Sequence, residues 1–168
     1  MRLLLHRIPE KNQAVNLPFA DQSTKLLVVR ALPLEEQIPV IDGFFNLVLI
    51  YNRGAAFGLF ANLSLEFAWI FFIITTSLVL GVVAYLWWRL PDDQLLAAVG
   101  FSLIFAGAVG NLIDRVRLGE VIDFLDFHVG RFHWPAFNVA DSLVCLGAGF
   151  LLWYIFREEK SQDVSHSV

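Results

Sequence analysis

Three stretches of this chain are almost free of charge over the length of a bilayer core. Residues 67–88 and 95–113 hold no charged side chain, and residues 136–156 hold only Asp141. A helix needs about 20 mostly apolar residues to cross the hydrocarbon region, so each stretch predicts a transmembrane helix. Aromatic and basic residues mark the ends of two of them. Trp69, Tyr85, Trp87, Trp88 and Arg89 flank the first, and Trp134, Trp153, Tyr154 and Arg157 flank the last. Such side chains anchor helices at headgroup level. Ala106, Gly107, Ala108 and Gly110, late in the middle stretch, predict backbones that approach closely.

Elsewhere the pattern shortens. Residues 39–60, "PVIDGFFNLVLIYNRGAAFGLF", carry an Asp42-Gly43 turn signal followed by β-branched and aromatic residues. They predict a hairpin or small sheet at the membrane surface, ending in a Gly/Ala-rich bend. Residues 120–134 also read as extended, with a turn near Gly130. The segment 17–32 is a weak first helix, apolar enough to dip into a membrane but holding Asp21, Lys25 and Arg30. It is expected to begin near Leu17 or Pro18 and end near Ala31, too short to span, with residues 1–12 loosely ordered and Lys25 and Arg30 snorkelling to the surface. The polar chain after Arg157 predicts no regular structure.

Composition supports the membrane reading. The 168 residues are 57% hydrophobic and 17% charged, with a mean hydropathy of +0.63, against about 45–50% and 25% in soluble domains. This length suits one domain, 1–168, and is too small to bury three such helices in a soluble core. A net charge of −4 without a dense basic cluster excludes nucleic acid as a partner. Cys145 is the only cysteine, so no intrachain disulfide forms, and small-residue packing is its expected role. "MRLLLHRIPEKNQ" is too short in apolar residues for a secretory signal. Lysines and arginines divide evenly between the two faces, so charge counting sets no orientation.

The candidate chemistry lies at helix ends. Asp141 would sit five residues into the third apolar stretch, and Asn138 precedes it by one turn. An ionisable group there is a functional hypothesis by default. The connection through 114–135 brings Asn111, Asp114 and Arg115 to the same face as Asp123, Asp126, Asn138 and Asp141. Arg115 could neutralise Asp114, Asp126 could stay hydrated, and Asp123, between Ile122 and Phe124, would be held against the helix ends. Two carboxyls in a low-dielectric pocket share a proton, so one serves as acid and the other as base. An aspartyl dyad of Asp123 and Asp141, an ion pathway and simple polar pairing all fit these residues. Asp123, Asp126, His128 and His133 offer metal-ligand atoms but lack a helical metalloprotease spacing, and no metal or other cofactor is expected.

Five motifs then combine. "DQSTK" (21–25), "YNRGAAFG" (51–58), "GNLIDR" (110–115), "VIDF" (121–124) and "FNVADS" (137–142) follow one another as in lipoprotein signal peptidase. Over residues 21–157 the chain resembles this signal peptidase II family. The resemblance implies a mainly α, integral membrane fold: a four-helix transmembrane bundle with a small extracytoplasmic β-cradle at 39–60. It implies an aspartic endopeptidase of the bacterial inner membrane, with both termini cytoplasmic. Such an enzyme removes signal peptides from diacylglyceryl-modified prolipoproteins, cleaving before the lipidated cysteine. Asp123 and Asp141 match its catalytic pair. Asn52, Gly107, Asn111, Arg115, Asn138 and Ala140 match positions lining the site, and Asp21 and Lys25 match the end of the first helix. The implied partners are the prolipoprotein substrate and membrane phospholipid, and the implied state is a monomer. The residues ahead of Asp21 depart from the family's apolar first helix. The alternatives are a non-catalytic membrane relative and a small transporter using Asp141.

Overall fold

The computed structural model describes residues 8–34, 36–54, 64–91 and 93–166. In chain order these form α1 (Ile8–Ala31), β1 (Gln37–Ile41), β2 (Phe45–Asn52), α2 (Leu65–Arg89), α3 (Leu95–Leu118), β3 (Val121–Val129), β4 (Phe132–His133) and α4 (Val139–His166). The bend expected after Gly54 falls largely outside the described residues.

Local chemistry sets several boundaries. Ser64 caps α2, its hydroxyl accepting from the Phe67 N–H at 3.4 Å. Gly119 ends α3 in the left-handed region, at φ 79°, where a side chain would be strained. The same residue turns the chain directly into β3. Helix α3 thus continues five residues beyond the predicted end at 113, carrying Asp114, Arg115 and Arg117 on its last turn.

Three helices are long and apolar enough to cross a membrane among the described residues: Glu66–Arg89, Leu95–Leu118 and Val139–Glu159. Their outward faces carry large apolar side chains such as Trp88, Leu78 and Phe156, as lipid-facing surfaces do. Helix α1 differs from its expected form. It starts at Ile8, ten residues before Pro18, and its 24 residues extend about 36 Å. Pro18 lies inside it instead of opening it. The preceding Glu10, Lys11, Gln13 and Ala14 are good helix formers, enough to carry the helix through one missing N–H. The polar tail is also helical, to His166, because it continues α4 without a Gly or Pro.

Helices α3 and α4 meet along a seam of small residues. A Cβ added to Gly147 would lie 2.6 Å from the Gly100 carbonyl oxygen, and one on Gly107 would lie 2.3 Å from that of Ala140. In lipid, where apolar burial drives little association, such close van der Waals packing holds helices together. Cys145 lies on the exposed side of α4, not in this seam, since helical rotation carries it away from Gly147 and Val144.

The strands form one antiparallel sheet in the order β1-β2-β3-β4. The hairpin turn falls at Asp42-Gly43, with Gly43 at φ 73°, as the sequence predicts. Pro39 is tolerated because β1 is an edge strand. The sheet packs on the end of α1 through Val28, Leu32, Leu49, Ile122 and Phe124. This cluster buries the residues on either side of Asp123 and, by strand alternation, turns Asp123 to the opposite face.

Candidate active site

The pairing of Asn138 with Asp141 is a capping box. Asn138 stands just before α4, and its Oδ1 accepts from the Asp141 N–H at 2.9 Å. In return, Asp141 Oδ2 accepts from the Asn138 N–H at 3.2 Å. Each side chain satisfies a backbone donor that the helix leaves free. The helix therefore begins at Val139, not 136, and Asp141 occupies its first turn. The aspartate lies shallower than the apolar run suggests, at the positive end of the helix dipole.

Asp123 is presented by β3 and is 2% exposed. Two asparagine amides hold it: Asn138 Nδ2 donates to Oδ1 and Asn52 Nδ2 donates to Oδ2, both at 2.8 Å. The Asn52 side chain is itself oriented by the Gly54 N–H, which donates to its Oδ1 at 2.8 Å. Burial pushes the Asp123 carboxyl up to about 7 against the Asn52 and Asn138 hydrogen bonds, and the charge of Asp141 adds to the rise. On the other carboxyl, Asn111 Nδ2 donates to Asp141 Oδ1 at 2.7 Å. Asn138 Nδ2 also reaches Asn111 Oδ1 and the Ile122 carbonyl, each at 3.1 Å. Asn138 thus touches both carboxyl groups, that of Asp123 through its side chain and that of Asp141 through its backbone N–H.

Beneath this pair lies a buried ionic cluster. Lys25 Nζ is 2.7 Å from Asp114 Oδ2 and 2.9 Å from Asp21 Oδ2. It also donates to Asn111 Oδ1 at 3.1 Å. Lys25 does not snorkel: it is 1% exposed, because two carboxylates and an amide oxygen replace its water. Asp114 is neutralised by Lys25 and not by Arg115, since consecutive residues leave a helix about 100° apart. Arg115 instead lies over the Phe72 ring, at 5.3 Å, and donates to the Asn111 carbonyl at 3.4 Å. Removing one member of such a buried pair typically costs about 3–5 kcal/mol. Gly107 and Gly110 leave room for this arrangement. A Cβ on Gly110 would lie 2.6 Å from Asp21 Oδ2, while Ala140, fully buried, presents its N–H to Asp21 Oδ1 at 2.9 Å.

Two members escaped the sequence reading of the site. The sequence gives Asp114 only a local charge role, and Gln22 none, although Gln22 Nε2 donates to Asp114 Oδ1 at 2.7 Å and to the Gly110 carbonyl at 3.2 Å. The available signal was Lys25 itself: a lysine one turn after Asp21 in an apolar setting demands carboxylate partners.

Asp126 separates from this group, because positions 123 and 126 lie on opposite faces of a strand. It is buried rather than hydrated. Asn46 Nδ2 donates to it at 3.0 Å and His133 Nδ1 lies 2.9 Å away. Burial raises its carboxyl, but these two contacts outweigh it and hold Asp126 below its ordinary range. His128 stacks on His133 with ring centroids 4.7 Å apart. A separate groove of about 820 Å³ runs between α1, α2 and α3, lined by Phe19, Trp87, Trp88 and Phe105 among others. It does not include Asp123 or Asp141. Its walls are mostly apolar and carry no carboxyl, so the polar pair is the candidate active site.

The description Signal peptidase (SPase) II belongs to a family model that matches residues 14–157. A lipoprotein signal peptidase of Geobacter sulfurreducens is 53% identical over 140 residues, covering 83% of this chain and 86% of the relative. One from Syntrophotalea carbinolica is 52% identical over 138 residues, covering 82% and 84%. A solved structure described as a bacterial membrane enzyme, determined by the in meso method at 2.3 Å, superposes with a TM-score of 0.76. It is 33% identical, with 90% of each chain covered.

Proposed function

This chain belongs to the signal peptidase II family, and we propose that Asp123 and Asp141 are the catalytic pair of its aspartic endopeptidase activity. It removes signal peptides from prolipoproteins. The substrate is a diacylglyceryl-modified prolipoprotein, cut before the lipidated cysteine. The observation that carries the assignment is Asn138, which bonds to Asp123 Oδ1 at 2.8 Å and to Asp141 Oδ2 at 3.2 Å. One residue holds both carboxyls, and the charge of Asp141 is felt at Asp123.

Their environments divide the labour. Burial keeps the proton on Asp123 up to about pH 7, so Asp123 is the acid. Asp141, with two N–H donors on its oxygens, works as the carboxylate base. Asp141 takes a proton from water, the hydroxide adds to the scissile carbonyl carbon, and Asp123 protonates the carbonyl oxygen. As the tetrahedral intermediate collapses, Asp141 passes its proton to the leaving nitrogen and Asp123 recovers one from the hydroxyl. Asn52, Asn111 and Asn138 hold the pair without adding charge, and Arg115 places a fixed cation beside it.

Helix α1 serves as the fourth span, giving both termini a cytoplasmic location in the inner membrane. The sheet and the dyad then lie at the extracytoplasmic face, bordered by phospholipid, and the protein acts as a monomer. The non-catalytic and transport readings are not favoured: both carboxyls are held by the same asparagine at one end of the bundle, not along a path across it. The deciding experiment is cleavage of a lipid-modified prolipoprotein by Asp123→Asn and Asp141→Asn. Each is expected to fold and to lose turnover by about three orders of magnitude or more. Turnover within tenfold of the parent in either variant would remove that residue from the pair.

A further inference from the structure

The aspartates of the dyad come from separate elements, β3 and α4, and each follows a residue whose N–H is bound by a buried carboxylate. Asp114 Oδ2 accepts from the Ile122 N–H at 3.3 Å, one residue before Asp123. Asp21 Oδ1 accepts from the Ala140 N–H at 2.9 Å, one residue before Asp141. Both carboxylates meet the same ammonium, Lys25 Nζ, at 2.7 and 2.9 Å. Asp21, Lys25 and Asp114 are each 2% exposed or less.

We propose that Asp21, Lys25 and Asp114 form a clamp that sets the separation of Asp123 from Asp141, with Lys25 and Asp114 as positioning residues for the reaction. The inference rests on the dyad reading of those two aspartates. A buried ionic network is a poor way to gain stability, because desolvation offsets most of the attraction. It is a good way to fix distance and direction, since each contact here is a charge-assisted hydrogen bond with a defined length. The anchored atoms are well chosen for that purpose. Ile122 is held on both sides, its N–H by Asp114 and its carbonyl by Asn138 Nδ2. Ala140 is held by Asp21 on its N–H, while its carbonyl rests against Gly107. Lys25 further steadies Asn111, whose amide donates to Asp141. Three elements of unrelated chain position are thereby referred to one nitrogen atom on α1.

The test measures kcat, KM and thermal unfolding of Lys25→Met, Asp114→Asn and the double variant, on a lipid-modified prolipoprotein, with turnover expressed per folded molecule. Asp123→Asn serves as control for the dyad. Each single variant is expected to lose kcat about tenfold or more, as misplaced reacting groups do, with KM within twofold of the parent. A clamp acting as one unit also predicts non-additivity: Asp114→Asn should cost little further kcat once Lys25 is Met. Gln22→Met removes the amide that donates to Asp114, Asp21 and the Gly110 carbonyl and accepts from Arg117 but keeps all three charges, and it covers the case in which the charge variants do not fold; it should lower kcat about threefold or more at unchanged KM. The clamp is overturned if the folded variants keep kcat within twofold of the parent while Asp123→Asn is inactive, or if the two single effects multiply in the double variant. An active Asp123→Asn overturns the dyad reading, and the clamp with it.

Discussion

Replacing Gly107 with Ala adds one methyl group at the tightest point of the α3–α4 seam. Its Cβ would lie 2.3 Å from the Ala140 carbonyl oxygen and 2.8 Å from Val144 Cγ2. Ordinary contact begins near 3.4 Å, so α4 must retreat by about 1 Å or the oxygen must swing aside, an overpacking that costs about 1–3 kcal/mol. Alanine recovers up to about 1 kcal/mol of helix propensity over glycine, leaving a net loss of about 0–2 kcal/mol. The effect on turnover should be larger than on stability. Ala140 precedes Asp141 and donates its N–H to Asp21, so a shift of about 1 Å there displaces the proposed base and costs about 100-fold in kcat. Gly81 provides the control, because nothing lies within 4 Å of a Cβ built there and Ala should be neutral or stabilising. Thermal unfolding in detergent, with cleavage of a lipid-modified prolipoprotein per folded molecule, separates the two. A Gly107→Ala protein that unfolds with the parent and cleaves within threefold of it would refute the close approach.

Other outcomes follow from the same geometry. With the Asp123 carboxyl raised to about 7, kcat/KM should fall along an alkaline limb near pH 7 as the acid loses its proton. A raised carboxyl binds more protons folded than unfolded, so its stabilising contribution is full below about pH 4 and is lost as pH rises toward 7; Asp123→Asn should flatten the unfolding midpoint over that window. Asp126 behaves oppositely, being held below its ordinary range: its contribution is present above that range and lost as pH falls through its lowered value, and Asp126→Asn should remove this acid sensitivity. Asn138→Ala forfeits a helix cap worth about 1 kcal/mol and a contact to each aspartate, so turnover should fall by at least about 100-fold while folded yield falls far less. Equal losses of both would assign Asn138 a structural role alone.

The sequence by itself determined what depends on nearest neighbours along the chain. Runs of bilayer length with no charge, or with Asp141 alone, identify α2, α3 and α4, because the cost of burying charge in lipid acts residue by residue. Turn chemistry at Asp42-Gly43 and Gly130 locates two bends of the sheet, and the ordered motifs single out Asp123, Asp141 and the asparagines. Tertiary structure decided what depends on residues far apart. Asp114 and Gln22 acquire their roles only through folding: Gln22 reaches Asp114 across 92 positions of sequence, and Lys25 reaches Asn111 across 86. No local rule pairs Lys25 with Asp114 over Arg115, since only the packing of α1 against α3 fixes which carboxylate faces the ammonium. The start of α4 departs from the sequence pattern for a related reason: apolar Ala136 and Phe137 read as helix, but Phe137 is claimed by a backbone bridge to Leu125 of β3. That competition leaves Asn138 to cap the helix and sets Asp141 at its mouth, beside Asp123.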